Sequence, residues 1–327
     1  MTRHVFRSAL LVALTLVLGL GAPSGALAQA KYPSRPVQLI CPWAAGGGTD
    51  RIARMVAVLL EKELGQPVTV VNRTGGSGAV GHTAGATATA DGHTMTIVTI
   101  EITQMHWQGL TPLTFKDFTP VALLNIDPAG VQVAAISEFK SLKQLLDHVK
   151  ANPGKLKASG TGKGGVWDIA RAGMLKTAGI SVDALPWVPS TGAATGLQEL
   201  VAGGVHVVTA SLPEGGPLIE AGKVRPLAIM ADKRDPLFPS VPTLKEEGIN
   251  WTMGAWRGIA LPKGTSPEIA ATLERALDKV VKSSEFGDFM KKNGFGILWK
   301  PSGEFARFLV ETDEAMGKLM REVGLVK

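Results

Sequence analysis

Short apolar runs that each end in a glycine-rich loop, with an amphipathic helix behind the loop, constrain this chain most. Val37 to Cys41 is such a run, and the loop Pro42-Trp43-Ala44-Ala45-Gly46-Gly47-Gly48 follows it. Thr49 stands where it can cap the next helix, whose face Ile52, Ala53, Val56, Leu59, Leu60 and Leu64 recurs at helical spacing until Gly65, with Pro67 beyond. The same grammar returns with the strand Val68 to Val71 and the loop Asn72 to Gly78, and Met95 to Ile100 reads as another strand. Ser141 with Gln144 predicts a capping box ahead of Leu142 to Ala151. Further strand–loop–helix units are predicted at Leu156, Ala184, Val205 and Val224. Ser266 and Pro267 then open a long helix with N-cap and N1 preferences in order, and a last helix is expected from about Glu304 to Met320. Such alternation predicts an α/β fold with largely parallel sheets flanked by helices. At 327 residues the chain exceeds one typical domain, and 45% hydrophobic against 19% charged residues supports a real core.

The first thirty residues read as an address. Arg3 and Arg7 form a positive start, Ala9 to Leu20 is nearly unbroken apolar sequence, and Ala26-Leu27-Ala28 and Ala28-Gln29-Ala30 both offer the small-x-small pattern of signal peptidase sites. The apolar run falls short of the roughly 20 residues that span a bilayer, so a cleaved leader at 1–30 and a soluble mature protein outside the cytoplasm are expected. Cys41 lies well past this run and is not a lipidation cysteine.

Charge excludes little but points away from some partners. Lys plus Arg number 34 against 28 acids, a formal +6, with no basic run. Loss of Arg3 and Arg7 leaves 32 basic residues against 28 acidic ones, a charge of +4. Nucleic acid is therefore not an expected partner. One cysteine excludes an intramolecular disulfide and a cysteine-based zinc site, and export makes ATP and NAD poor candidates. No cofactor, no metal and no catalytic residue is expected.

The glycine loops carry whatever chemistry there is. Ala45 to Thr49, Thr74 to Gly78 and Gly160 to Gly165 each follow a strand and precede a helix. A helix N-terminus offers unpaired N–H groups and about half a positive charge, so such loops can hold an anion without a basic side chain. Ligands of open α/β sheets bind beyond the carboxyl ends of strands, where all three loops would meet. Ordinary left-handed turns are the competing explanation for any one of them. Trp43 and Trp167 stand in or beside two of the loops and could wall a pocket or simply pack in the core. Glu101 could face the cleft from a strand end or pair with a lysine, and Asp50 most simply complements its helix dipole.

Enzymatic motifs do not assemble. Gly76-x-Gly78-x-x-Gly81 and Gly160-x-Gly162-x-x-Gly165 match the dinucleotide fingerprint, but 39 glycines produce such a match about 0.5 times by chance. Neither follows the first strand, where the fingerprint belongs. Gly75-Gly76-Ser77-Gly78-Ala79 misses the nucleophile elbow by its last residue, and His82, His93, His106, His148 and His206 are dispersed.

Longer stretches resemble a known family. Tyr32-Pro33-Ser34-Arg35-Pro36-Val37 and Pro42-Trp43-Ala44-Ala45-Gly46-Gly47-Gly48-Thr49-Asp50-Arg51-Ile52-Ala53-Arg54 resemble the opening of the tripartite tricarboxylate transporter substrate-binding proteins, also called the Bug receptors. Val70-Val71-Asn72-Arg73-Thr74-Gly75-Gly76-Ser77-Gly78, Ala90-Asp91-Gly92-His93-Thr94 and Asn152-Pro153-Gly154-Lys155-Leu156 continue the likeness. Arg234-Asp235-Pro236-Leu237-Phe238-Pro239 and Trp256-Arg257-Gly258-Ile259-Ala260 resemble its late signatures, so essentially all of the chain after the leader is covered.

The resemblance implies a two-lobed periplasmic binding protein of the type II kind, each lobe a mostly parallel sheet flanked by helices, with the ligand cleft between them. Lobe one would be 31–128 plus 252–327 and lobe two 129–251, with crossings near Ala129 and Met253 acting as hinges. A small carboxylate would be captured and delivered to membrane transporter subunits by a monomeric receptor. A receptor that presents its ligand to a sensor protein, and an exported α/β hydrolase, are the alternatives. The ligand site would comprise Trp43, Ala44, Ala45, Gly46, Gly47, Gly48 and Thr49, then Gly76, Ser77, Gly78 and Glu101. Lobe two would add Thr161, Gly162, Gly165, Val166, Ser190, Thr191 and Gly192. Four positions depart from the family pattern. Ser190-Thr191 replaces an aromatic and a cation, Asp168 a histidine, and His206 an acid, so the distal end of the site is expected to avoid a second strong charge.

Overall fold

The computed structural model describes residues 32–326, and the predicted leader at 1–30 lies outside the described residues. The strands and helices of the described residues all belong to the unit that begins at Arg35. Strand β1 (Val37–Cys41) leads into helix α1 (Gly48–Leu64) and strand β2 (Val68–Asn72). Helix α2 (Ala79–Ala86), strand β3 (Thr94–Thr99) and the long strand β4 (Phe118–Ala134) come next. Then come α3 (Leu142–Ala151), β5 (Ala158–Ser159), α4 (Val166–Thr177), α5 (Ala193–Ala202), β6 (Val207–Ser211), α6 (Leu212–Glu220) and β7 (Val224–Ile229). The chain closes with β8 (Gly254–Pro262), α7 (Pro267–Lys282), α8 (Ser284–Asn293), β9 (Ile297–Pro301) and α9 (Ser302–Glu322).

The strands pair in two groups that share β4. In the first, β1 lies between β2 and β3 with both pairings parallel, β3 pairs antiparallel with β8, and the first half of β4 pairs antiparallel with β8 and β9. In the second, the latter half of β4 pairs antiparallel with β6 and β7, and β5 runs parallel to β6. The fold is α/β, but the sheet is mixed where a mostly parallel one was expected. The reason is geometric: β4 carries the chain out of the first group and β8 carries it back, so the two run in opposite directions and pair as neighbours.

Local rules account for most boundaries. The face Ile52, Ala53, Val56, Leu59 and Leu60 of α1 is buried, and each large aliphatic side chain there contributes about 1.5–3 kcal/mol. Gly65 ends the helix with φ +68, a left-handed cap that a side chain would resist, and its amide donates to the Glu61 carbonyl at 2.9 Å. Ser266 caps α7 as predicted, accepting from the Ile269 amide at 3.4 Å, with Pro267 at the first helical position. Ser141 caps α3 by accepting from the Gln144 amide at 3.3 Å, but the Gln144 side chain reaches back one residue further than a capping box, to the Lys140 amide at 2.7 Å.

Two local expectations fail. Thr49 is not the cap of α1: Gly47 occupies that position, and the Thr49 hydroxyl is turned to Arg257 instead. No strand begins at Ala184, which ends a single 3-10 turn, Val182–Ala184, before the chain bridges Ala158 at Trp187. Cys41 is fully buried, and burial pushes its thiol up to about 12, which keeps it an inert core residue.

Candidate functional site

Two glycine loops are built to the same plan. Gly46-Gly47-Gly48-Thr49-Asp50 enters α1 and Gly164-Gly165-Val166-Trp167-Asp168 enters α4. The N-cap glycines have nearly the same backbone, φ −72 and ψ 171 at Gly47 and φ −72 and ψ 174 at Gly165. In each loop the preceding glycine is left-handed, Gly46 at φ +81 and Gly164 at φ +70. Its amide donates to the aspartate at the third helical position: Gly46 to Asp50 Oδ2 at 2.9 Å, and Gly164 to Asp168 Oδ2 at 2.9 Å. An arginine on the next turn locks each carboxylate, Arg54 Nε to Asp50 at 2.9 Å and Arg171 Nη2 to Asp168 at 2.6 Å. Asp168, one of the departures from the family pattern, thus does for the second loop what Asp50 does for the first. Burial alone would raise the Asp50 carboxyl, but hydrogen bonds from Arg54, Gly46 and Asn72 hold it below its ordinary value.

Both helix N-termini border one narrow cavity, part of it open to solvent. From the first loop Trp43, Ala44, Gly47, Gly48 and Thr49 line it, and from the second Thr161, Val166 and Trp167. Gly192 before α5 and Glu101 beyond β3 are the other predicted residues on the lining, and Ala193, Thr99, Glu214, Ala255, Trp256 and Arg257 join them. At the first turn of a helix the backbone N–H groups lack intrahelical partners, so the walls carry donors as well as aromatic surface.

The remaining predicted residues stand behind this lining. Gly76–Gly78 forms a 3-10 turn, and a Cβ on Gly78 would come within 3.1 Å of the Trp43 ring, so this loop packs against the wall from outside. Ser77 donates to the Lys163 carbonyl at 3.0 Å, and a Cβ on Gly162 would lie 2.7 Å from Ser77 Cα, so these two residues touch. Ala45 and Gly46 shape the first loop, and Gly165 caps α4. Ser190 directs its hydroxyl at the carbonyls of Gly160 (2.9 Å) and Gly192 (3.0 Å), bracing its own loop. Thr191 is exposed, and its carbonyl accepts from the Ala44 amide at 3.2 Å. His206 is exposed at the start of β6, the end of that strand opposite Ser211 and Glu214, and its Nδ1 accepts from the Lys157 amide.

A buried charge network, of which only Thr49 was among the residues predicted for the site, adjoins the cavity through Thr49, Glu214 and Arg257. Arg257 on β8 donates through Nη1 to Asp127 Oδ2 at 2.6 Å and to Asn125 Oδ1 at 2.5 Å. Its Nε reaches Thr49 Oγ1 at 2.9 Å and its Nη2 reaches Glu214 Oε1 at 3.4 Å. Thr49, Asn125, Asp127 and the arginine are buried, and the Glu214 side chain is 6% exposed. Burial raises the Asp127 and Glu214 carboxyls, and the Arg257 charge opposes that rise. The signal available in the sequence was a charged residue inside an apolar strand, in Ile126-Asp127-Pro128 and in Trp256-Arg257-Gly258-Ile259.

Glu101 faces the same space without a lysine. It is 2% exposed, accepts from Thr99 Oγ1 at 2.6 Å through one oxygen and from the Val166 amide at 3.2 Å through the other. Burial raises its carboxyl above the ordinary value, against those hydrogen bonds. Thr99 Oγ1 also accepts from Trp43 Nε1 at 3.2 Å, so the first-loop tryptophan and Glu101 are tied through one hydroxyl. Behind them His82 is fully buried: Nδ1 meets the Gly78 carbonyl at 2.8 Å and Nε2 accepts the Thr99 amide at 3.2 Å. That pairing requires the neutral ring, and burial pulls its pKa down to about 4. Among the described residues no group of three or more His, Cys, Asp or Glu side chains could hold a metal ion.

Comparison with known proteins places this cavity in context. Residues 52–325 match the model of the tripartite tricarboxylate transporter family receptor. The protein described as "UPF0065 protein in gbd 5'region" of Cupriavidus necator is 30% identical over 331 residues, covering 99% of this chain and 98% of its own. Among solved structures, the periplasmic binding protein BugD superimposes with a TM-score of 0.85 at 26% identity, over 90% of this chain and all of its own. MatC from Rhodopseudomonas palustris with bound malate does so with a TM-score of 0.82 at 28% identity, over 88% of this chain and 99% of its own.

Proposed function

Because the chain belongs to the tripartite tricarboxylate transporter receptor family, we propose that it is a periplasmic receptor that captures a small organic carboxylate and hands it to a membrane transporter. The observation that carries this reading is the pairing of two helix N-termini, α1 behind Gly47 and α4 behind Gly165, on one cavity. The α1 end supplies unpaired N–H groups and a partial positive charge, which is what a carboxylate needs where no free cation is at hand. At α4 the Val166 amide already donates to Glu101, and the helix adds its partial charge. Hydrogen bonds to a charged group contribute about 1.5–3 kcal/mol each. Micromolar affinity requires about 8 kcal/mol net, so four to six of them suffice against the cost of association. MatC with its bound malate supports the ligand class.

The lobes are 31–128 with 252–327, and 129–251, and the ligand sits between them. The first-loop residues Trp43 to Thr49 hold one carboxylate against the start of α1, with Gly78 packed against Trp43 and the neighbouring Gly76 and Ser77 shaping that second loop. Thr161, Val166 and Gly192 close from the other lobe, with Gly162, Gly165, Ser190 and Thr191 shaping those loops. A thermal-shift screen against mono-, di- and tricarboxylates and aromatic acids tests the reading. A stabilisation of several degrees by at least one carboxylate is expected, since a ligand at 100 times its Kd adds about 2.7 kcal/mol. A screen in which no carboxylate shifts the transition overturns it. Export is tested by the intact mass of the protein in the periplasm, which should begin at Gln29 or Lys31.

A further inference from the structure

We propose that Ser77 and Gln108, two residues outside the cavity, latch lobe one onto the second glycine loop with or without ligand, and so set the receptor's affinity without touching what it binds. This rests on the two-lobed receptor reading and adds to it a means of closure.

Three side chains of lobe one converge on one short stretch of lobe two. Ser77 Oγ donates to the Lys163 carbonyl at 3.0 Å, Gln108 Nε2 donates to the Gly164 carbonyl at 3.0 Å, and Glu101 Oε1 accepts from the Val166 amide at 3.2 Å. Ser77 comes from the loop before α2, the other two from the segment after β3. The Gln108 amide lies directly on Gly164, where a Cβ would come 1.8 Å from its Oε1, and Ser77 is pressed as closely against Gly162. Each bond joins two protein atoms, so the chain itself favours closure and no ligand atom is needed between them.

Both sides of the latch are held ready. The Gly164 amide is tied to Asp168 Oδ2 at 2.9 Å, Arg171 fixes Asp168, and the Gly165 amide donates to the Gly162 carbonyl at 3.1 Å. On the other side the amides of Gly109 and Leu110 donate to the carbonyls of His106 and Met105, each at 3.1 Å, which pins the turn that carries Gln108. Partners ordered in advance lose little freedom when they meet, so modest hydrogen bonds count in full.

Neither Ser77 nor Gln108 lines the cavity. A ligand held by both lobes binds the closed form, and its apparent dissociation constant is the intrinsic one divided by the closed fraction. Substitutions at these two positions therefore act on affinity through that fraction.

Hydrogen exchange on the mature chain, stripped of bound small molecules by unfolding and refolding, tests the latch without a ligand. Two amides are bonded across the lobes: Val166 beside the latch, and Ala44, which donates to the Thr191 carbonyl at 3.2 Å and whose bond uses neither substituted residue. Gln108→Ala and Ser77→Ala should each speed exchange at both amides by about twofold or more, and the double variant should speed it further. Both side chains are half-buried, so melting temperatures within a few degrees of wild type are expected. The carboxylate that shifts the melting transition most in the thermal-shift screen should bind each variant about twofold or more weakly. Faster exchange at Val166 with Ala44 at its wild-type rate would mean local packing and overturns the latch, as would no change at either amide. Unchanged affinity beside faster exchange at both overturns its role in binding. The receptor reading survives all three results, because the screen decides it separately.

Discussion

The amide of Ala129 donates to the carbonyl of Met253 at 2.8 Å. The Ala129 carbonyl in turn accepts the Met230 amide at 2.7 Å, and the Met253 amide donates to the Met230 carbonyl at 3.2 Å. Both points where the chain was predicted to cross between lobes therefore lie side by side, where β4 passes from one strand group to the other. Extended backbone there can absorb a change in dihedral angles without unpacking either group. Small-angle scattering with malate, or with the carboxylate that the thermal-shift screen finds to bind, should show a smaller radius than the free protein. An unchanged radius at proven saturation rejects hinge closure.

Closure should depend on Gly162. Its backbone is outside the left-handed region, so alanine is conformationally acceptable, yet a Cβ there would lie 2.6 Å from Ser77 Cβ and 2.7 Å from Ser77 Cα. Gly162→Ala is expected to weaken ligand binding at least tenfold while leaving the melting temperature of the free protein within a few degrees. Equal affinity would mean that the Ser77–Gly162 contact is not part of the bound form.

The first loop separates two kinds of glycine requirement. At Gly47 an added Cβ meets only Ala44 O at 3.4 Å and Ala194 Cβ at 4.0 Å, whereas at Gly48 it would meet Glu214 Cγ at 2.7 Å and Oε1 at 2.9 Å. Gly47→Val should therefore impair binding with little loss of stability, by obstructing backbone approach to the ligand. Gly48→Val should lose both, because Glu214 and Arg257 must move. Calorimetry paired with thermal melts distinguishes them, and wild-type affinity in Gly47→Val would mean the first loop is not the anion site.

Removing Arg257 should be costly. Arg257→Met leaves Asp127 and Glu214 buried without their cation, and breaking a buried pair costs about 3–5 kcal/mol. Denaturant unfolding should show that loss, and adding Asp127→Asn should restore part of it. A double variant no more stable than the single one would show that the network does not act through charge.

Acid should weaken the fold through His82. Its folded pKa of about 4 lies below the ordinary 6.5, so between those values the unfolded chain binds a proton that the folded one refuses. The stabilisation is complete above about pH 6.5 and is lost as pH falls toward 4, by about 3 kcal/mol at most. Glu101, Glu214 and Asp127, all raised by burial, act in the opposite sense as pH rises, so the comparison must be with a variant. His82→Gln should be less stable at pH 7.5 but lose less on going to pH 4.5. A wild-type advantage independent of pH would contradict a buried neutral ring.

The sequence alone determined the features whose causes act within a few residues. The buried run of β1, the Gly65 stop, the Ser266–Pro267 start and the glycine loop before α1 are each set by short-range sterics, capping and apolar period. The first loop's place on the cavity was legible for the same reason, because a helix N-terminus is an anion site wherever it is exposed. Tertiary structure decided what each side chain does once distant segments meet. The Arg257–Asp127 pair joins residues 130 apart in sequence and Arg257–Thr49 joins residues 208 apart, so no local pattern separates Thr49 as a helix cap from Thr49 as an arginine partner. Ser190, expected to read the ligand, spends its hydroxyl on carbonyls that only the folded loop brings near. The antiparallel pairing of β4 with β8 likewise comes from a chain that leaves one strand group and returns, a path that strand propensity does not encode. Apolar period and caps are properties of a segment; partners for buried charge are properties of the assembled chain.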